Sequence, residues 1–118
     1  MYINRKPIVQ SEVSLERGII NAIVNHQELY LISRSIIDAN DFTLDLHKML
    51  YQSLSGLTLG IDVVNREALI ELLVEVLAKV KGVEKEKVYN VFSYPPSIDI
   101  INDLYILKQR SIKENNKQ

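Results

Sequence analysis

From Glu67 to Val80 the only charged or polar side chains are Glu67, Glu71, Glu75 and Lys79, each four residues from the next. On an α-helix that spacing gathers them into one narrow stripe. Leu69, Ile70, Leu72, Leu73, Val74, Val76, Leu77 and Val80 cover the remaining surface. The run is too long for an ordinary strand and holds no turn residue. It predicts a helix over residues 65–80, closed by Lys81-Gly82. A helix this apolar must be packed on two or more sides. The rest of the domain or a second subunit has to supply that packing.

The other segments repeat the helical period. Ser11 or Ser14 is placed to cap a first helix ending near Asn25, with Leu15, Ile19, Ile20, Ala22 and Ile23 three and four apart. Gly18 inside it points to close packing against a neighbouring helix. A second helix is expected over residues 27–37, with Leu29, Ile32 and Ile36 inward. Asp38 to Asp41 then break the pattern with turn-forming side chains, and Phe42 follows among polar neighbours. A third helix, over residues 44–57 and capped by Thr43 or Asp41, lines up His47, Leu50, Tyr51, Leu54 and Leu57. Gly56 and Gly60 bracket its end. A short fifth helix over residues 84–92 turns Val88, Val91 and Phe92 inward. Tyr94-Pro95-Pro96-Ser97 is a break, and Ser97 is expected to cap a last helix over residues 98–115. No alternation of strand type occurs.

The chain is therefore expected to be all-α, a compact bundle of about five to six helices. Its 118 residues suit one domain, able to bury roughly two-thirds of its unfolded surface. The expected organisation is a flexible arm over residues 1–10, a globular head over 11–96 and a C-terminal helix over 97–118.

Charge and composition exclude several function classes. The net charge of −1 gives no broad basic surface for nucleic acid. There is no cysteine, which removes disulfides and thiolate metal sites. No apolar run is long enough to span a membrane, and the first ten residues lack a signal-peptide core. A cytoplasmic protein is expected. There is no phosphate loop and no G-x-G-x-x-G. His26 and His47 have no second ligand at helical spacing on their own helix face. Asp38, Asp41, Asp45 and Asp62 read as caps and turn residues. The basic groups around Lys79 to Lys87 are interleaved with Glu84 and Glu86, as on a solvated turn. No catalytic residue, cofactor site or metal site is expected.

The last helix has a wide apolar surface. Ile98, Ile101, Tyr105 and Ile112 lie on one face, and Ile100, Leu104 and Leu107 on the adjacent one. It either docks back on the domain or meets another chain.

The order of these pieces resembles a known family. Glu16 opens the apolar run to Val24, Asp41-Phe42 closes the second helix, and His47 with Leu50-Tyr51 begins the third. Ile61-Asp62 precedes the fourth, and Pro96-Ser97 leads into Ile101, Tyr105 and a basic polar stretch. Over residues 12–113 this is similar to the N-terminal domain of the bacterial DnaB-type replicative DNA helicases. The family often carries glycine where Asn21 stands and valine-leucine where Ile19-Ile20 stand, and residues 74–91 are only loosely alike.

The resemblance implies a scaffold whose last helix is the first arm of a helical hairpin. Ile98, Ile101, Leu104, Tyr105 and Ile112 are the expected subunit or partner interface. The implied partners are its own copies, as a dimer up to a hexamer in the parent protein, together with primase and a helicase loader. DNA would be met through the parent protein, in a cytoplasmic, nucleoid-associated replisome. ATP and magnesium would belong to a motor domain that this sequence does not contain. Two related readings are the C-terminal helicase-binding domain of a bacterial primase and a stand-alone helicase-binding regulator. A small helical enzyme would need convergent polar groups on inner helix faces, and the expected inner positions are nearly all aliphatic.

Overall fold

The computed structural model describes residues 10–60 and 65–116. Among them are six α-helices, one 3-10 turn and no strand. They are α1 (Gln10–Asn25), α2 (Leu29–Ser33), the 3-10 turn (Ala39–Asp41), α3 (Asp45–Gly60), α4 (Arg66–Lys81), α5 (Lys85–Val91) and α6 (Ile100–Asn116). The arm expected over residues 1–10 lies outside the described residues except for Gln10, which is already helical. The Ile61-Asp62 joint and the last two residues also lie outside them.

The apolar helix is α4, and it behaves much as its pattern demands. Asn65 caps it, its side chain accepting from the Ala68 N–H at 2.8 Å. Gly82 ends it in the left-handed region at φ 69°, where a Cβ would be strained. It packs on α1, α3 and α5, burying Leu69, Ile70, Leu73, Val74 and Leu77. The enclosure is incomplete, because Leu72 and Val80 stay exposed beside the charged stripe.

Around it one hydrophobic core forms. Ile19, Ile20, Ile23 and Val24 come from α1, Leu50, Tyr51 and Leu54 from α3, Val88 and Val91 from α5. Leu104 and Leu107 of α6 belong to the same core. The boundary expected at residues 96 and 97 thus separates no second core. The head is clasped again by Lys108, whose Nζ lies 3.1 Å from the nearly buried Asp41 carboxylate.

Three local expectations are corrected. The helix expected over 27–37 shrinks to Leu29–Ser33, because Ser33 Oγ donates back to the Tyr30 carbonyl and the following turn uses shorter bonds. Its buried residues are Tyr30 and Ser33, followed by Ile37 beyond its end; of the expected inner residues Leu29 and Ile36 are partly buried against the core and Ile32 is exposed. Neither Ser11 nor Ser14 starts α1, which runs through both. Asp99, and not Ser97, caps α6, accepting from the Asn102 N–H at 3.2 Å. Ser97 instead bonds Asp103 and donates its own N–H to the Gly18 carbonyl at 2.9 Å. Gly18 therefore does allow close packing, but against the backbone of the Pro95–Ser97 strap: an added Cβ would sit 3.4 Å from Ser97 N. The Asp41 side chain closes a capping box on the 3-10 turn with Asp38, ahead of α3.

The docking of α6 predicts a contrast between adjacent residues. Leu104→Ala should cost about 2–5 kcal/mol, whereas Tyr105→Ala, on an exposed position, should stay within about 0.5 kcal/mol. Urea unfolding of the two variants measures it; equal losses would mean α6 is not seated as described.

Candidate functional site

Two features stand out: a buried polar node in the core, and an apolar face on α6 that the described residues leave exposed. The node is built from α1 and α3. Glu16 and His47 each lie on the inward face of an amphipathic helix, and both are buried. His47 Nδ1 lies 2.7 Å from Glu16 Oε1, and Glu16 Oε2 accepts from the Thr43 N–H at 2.9 Å. Arg17 Nε donates to His47 Nε2 at 3.0 Å. Arginine has no acceptor, so in this arrangement Nε2 carries the lone pair and Nδ1 donates its proton to Glu16. The Arg17 guanidinium lies 4.8 Å over the Tyr94 ring, which carries the node to the strap before α6.

A second set of bonds lies one turn along α1. Asn21 is fully buried, and its Nδ2 donates to the Arg17 and Val91 carbonyls at 2.9 Å each. Arg66 Nη2 reaches Asn21 Oδ1 at 3.2 Å and the Phe92 carbonyl at 3.1 Å. These bonds tie α1 to α4 and to the end of α5. Apart from the Asn21 bond to the Arg17 carbonyl, both sets join residues far apart in sequence, which spacing along one helix does not reveal. The available signal was a polar side chain on an otherwise apolar helix face, as at Glu16, Asn21 and His47.

The node cannot meet a substrate from solvent, because His47 has no exposed surface. Its chemistry is orientation and satisfied hydrogen bonding within the fold. Among the described residues, no three histidine, aspartate or glutamate side chains gather to hold a metal ion. No described helix is long and apolar enough to cross a membrane.

Tyr51 extends the buried polar set. Its hydroxyl is 2.7 Å from Ser33 Oγ, and its ring packs on Tyr30 and Phe42 at 5.4 and 5.3 Å. Burial pushes the phenol up to about 12, against a smaller opposing effect of the Ser33 bond.

On α6 the expected interface residues separate. Ile101, Tyr105 and Ile112 are 41%, 54% and 48% exposed, and Ile98 just before the helix is fully exposed. Ile106 joins them; it was missed because it lies off their spacing. Leu104 does not belong to that surface. It is fully buried with Leu107 in the chain's own core. Of the two possibilities for the last helix, the structure shows the first on one face: the Leu104 face docks on the domain, and the Tyr105 face is exposed. The described part thus defines a helical bundle with an internal polar node and one uncovered helix face. In comparison with known proteins, the chain matches no family model, no curated protein and no solved structure.

His47→Leu should destabilise the fold by at least about 2 kcal/mol, since it leaves the Glu16 carboxylate buried with one partner lost. Combining it with Glu16→Leu should recover part of that loss, and a denaturant double-mutant cycle reads the coupling. Additive losses would show that the two side chains do not act together.

Tyr51 gives a pH prediction. Its folded value lies above the ordinary value of 10.0, so the folded state binds the extra proton between pH 10 and about 12. The contribution to stability is whole below pH 10 and is lost as pH rises through that window. Ultraviolet titration should show a late phenol that Tyr51→Phe removes, apart from the Tyr89 phenol, which its bond to Glu71 also raises.

Proposed function

We propose that this chain is a helical scaffold domain of the kind found at the N-terminus of DnaB-type replicative helicases. In this reading it assembles subunits through the open face of α6 and receives primase or a helicase loader. ATP hydrolysis and unwinding belong to a motor outside these residues. The observation that carries the reading is the exposed row of Ile101, Tyr105 and Ile112, with Ile98 just ahead of it, on a helix whose other face is anchored in the core. A rigidly held, exposed apolar row is a feature of surfaces that meet protein. The second support is the ordered resemblance in sequence. Several residues that carry it, Glu16, Asp41, Phe42, His47 and Tyr51, occupy buried positions, as fold-defining residues do.

Own copies are the preferred first partner. On α6, Ile101, Tyr105 and Ile112 are four and seven residues apart, so they fall on one side of the helix, as residues along a pairing seam do. Analytical ultracentrifugation tests this on the full chain. The wild type should associate with rising concentration, and Ile101→Asp with Tyr105→Asp should sediment as a monomer with an unchanged helical spectrum. A wild type that remains monomeric at every concentration would remove the self-assembly part of the reading.

A further inference from the structure

The imidazole of His47 is held between one anion and one cation. Glu16 Oε1 lies 2.7 Å from Nδ1, and the Arg17 Nε–H donates to Nε2 at 3.0 Å. Both charges come from adjacent residues of α1. Glu16 and His47 are buried, whereas Arg17 is half-buried and stands at the edge of the core. With the ring neutral, the charges of the three side chains cancel. A proton on Nε2 changes that in two ways. It replaces the lone pair that accepts from Arg17 with a second donor, so that two N–H groups confront each other. It also sets two cations against one buried carboxylate, a surplus that a desolvated site does not hold.

The surroundings leave one way out. The elements packed on α3 are α1, α2, the 3-10 turn and α4. The 3-10 turn brings Asp41, whose carboxylate is already engaged by Lys108. From α2 come Tyr30 and the uncharged Ser33, and on α3 itself stands Tyr51, bonded to Ser33. From α4 come Leu69, Ile70, Leu73, Val74 and Leu77, while its Arg66 bonds Asn21 and the Phe92 carbonyl. Glu16 is fixed at its other oxygen by the Thr43 N–H. The group free to leave is Arg17.

We propose that the node is a proton switch: protonation of His47 expels Arg17 from the imidazole and from Tyr94, and loosens the strap that leads into α6. Proton and guanidinium compete for Nε2, and Glu16 balances the charge of whichever holds it. The outward swing of Arg17 also opens Nε2 to water, which is how a buried ring exchanges its proton. The Arg17 guanidinium lies 4.8 Å over the Tyr94 ring, and the Gly18 carbonyl beside it accepts from the Ser97 N–H at 2.9 Å. Neighbouring residues of α1 thus hold the strap side by side. When Arg17 leaves, the Gly18 bond loses that support. The switch does not depend on what meets the open face of α6, so it stands apart from the scaffold reading.

The test is 1H–15N NMR of the full chain from about pH 8 to about pH 5, where histidine changes charge, with circular dichroism to follow the fold. At the upper end His47 should show a protonated Nδ1, a bare Nε2 and a bonded Arg17 Nε–H. As Nε2 takes up its proton, the Arg17 Nε–H signal should be lost. Hydrogen-exchange protection of the Ser97 amide, corrected for the intrinsic rate, should fall by about fivefold, while that of Thr43 is unchanged. Arg17→Met removes the competing cation and should raise the proton affinity of the ring by about tenfold. Tyr94→Leu should leave the ring titrating but uncouple Ser97 from it. An imidazole that stays unprotonated to the lower end in the folded chain overturns the proposal. So does protonation with the Arg17 signal and Ser97 protection unchanged, Arg17→Met titrating as the wild type does, or loss of the helical spectrum at the same pH.

Discussion

A carboxylate buried among aliphatic side chains is costly unless it is fully bonded. Glu16 meets that condition only because His47 and the Thr43 N–H come to it from the other side of the core. That requirement fixes the register of α1 against α3. A slide of one helical turn would leave the carboxylate facing leucines. Aliphatic packing alone does not choose so sharply, since Ile and Leu surfaces accept many arrangements of similar density. The node therefore selects one arrangement from several that burial would tolerate. Arg17 then extends the selection to Tyr94, and so to the strap that delivers α6.

The parts of the fold that were legible in the sequence are those where periodicity and burial agree. The third, fourth and fifth helices had apolar stripes that packing then used: His47, Leu50, Tyr51 and Leu54 on α3, Val88 and Val91 on α5. The stripe expected on the second helix holds at Leu29 and Ile36, which pack on the core, and fails at Ile32. Ser33 is buried to bond Tyr51, and Ile32 is left outside. A polar residue chosen for one partner outweighs the hydrophobic pattern there, and the same holds at Asn21. The caps failed for a different reason. Ser97 is a good cap by type, but its N–H is drawn to the Gly18 carbonyl, so the helix begins later, capped by Asp99. Tertiary contacts of this kind leave no trace in local spacing.

The bonded residues also bear on the family resemblance. Glu16, Asp41, His47 and Tyr51 are among the residues that carry it, and all four are engaged inside the molecule. Asn21, a departure from the family's pattern, likewise makes a buried contact set, to Arg66 and Val91. A resemblance resting on such residues speaks about how the helices are held together. It says little about what the outside binds. Fold and partner are therefore separable questions for this chain, and the partner question depends on α6.

On α6 the two faces place different demands on the same seventeen residues. Leu104 and Leu107 must stay in the core, and Lys108 must reach Asp41, so the helix cannot roll to hide Ile101 and Tyr105 without exposing leucines and stranding a nearly buried carboxylate. The apolar row is thus held outward by what the inner face requires. The described helices leave it exposed. That constraint is why the proposed partner is placed on α6 and not on the other exposed apolar side chains. Leu31 and Ile32 sit on a single short turn, and Leu72 and Val80 stand beside charged neighbours on α4.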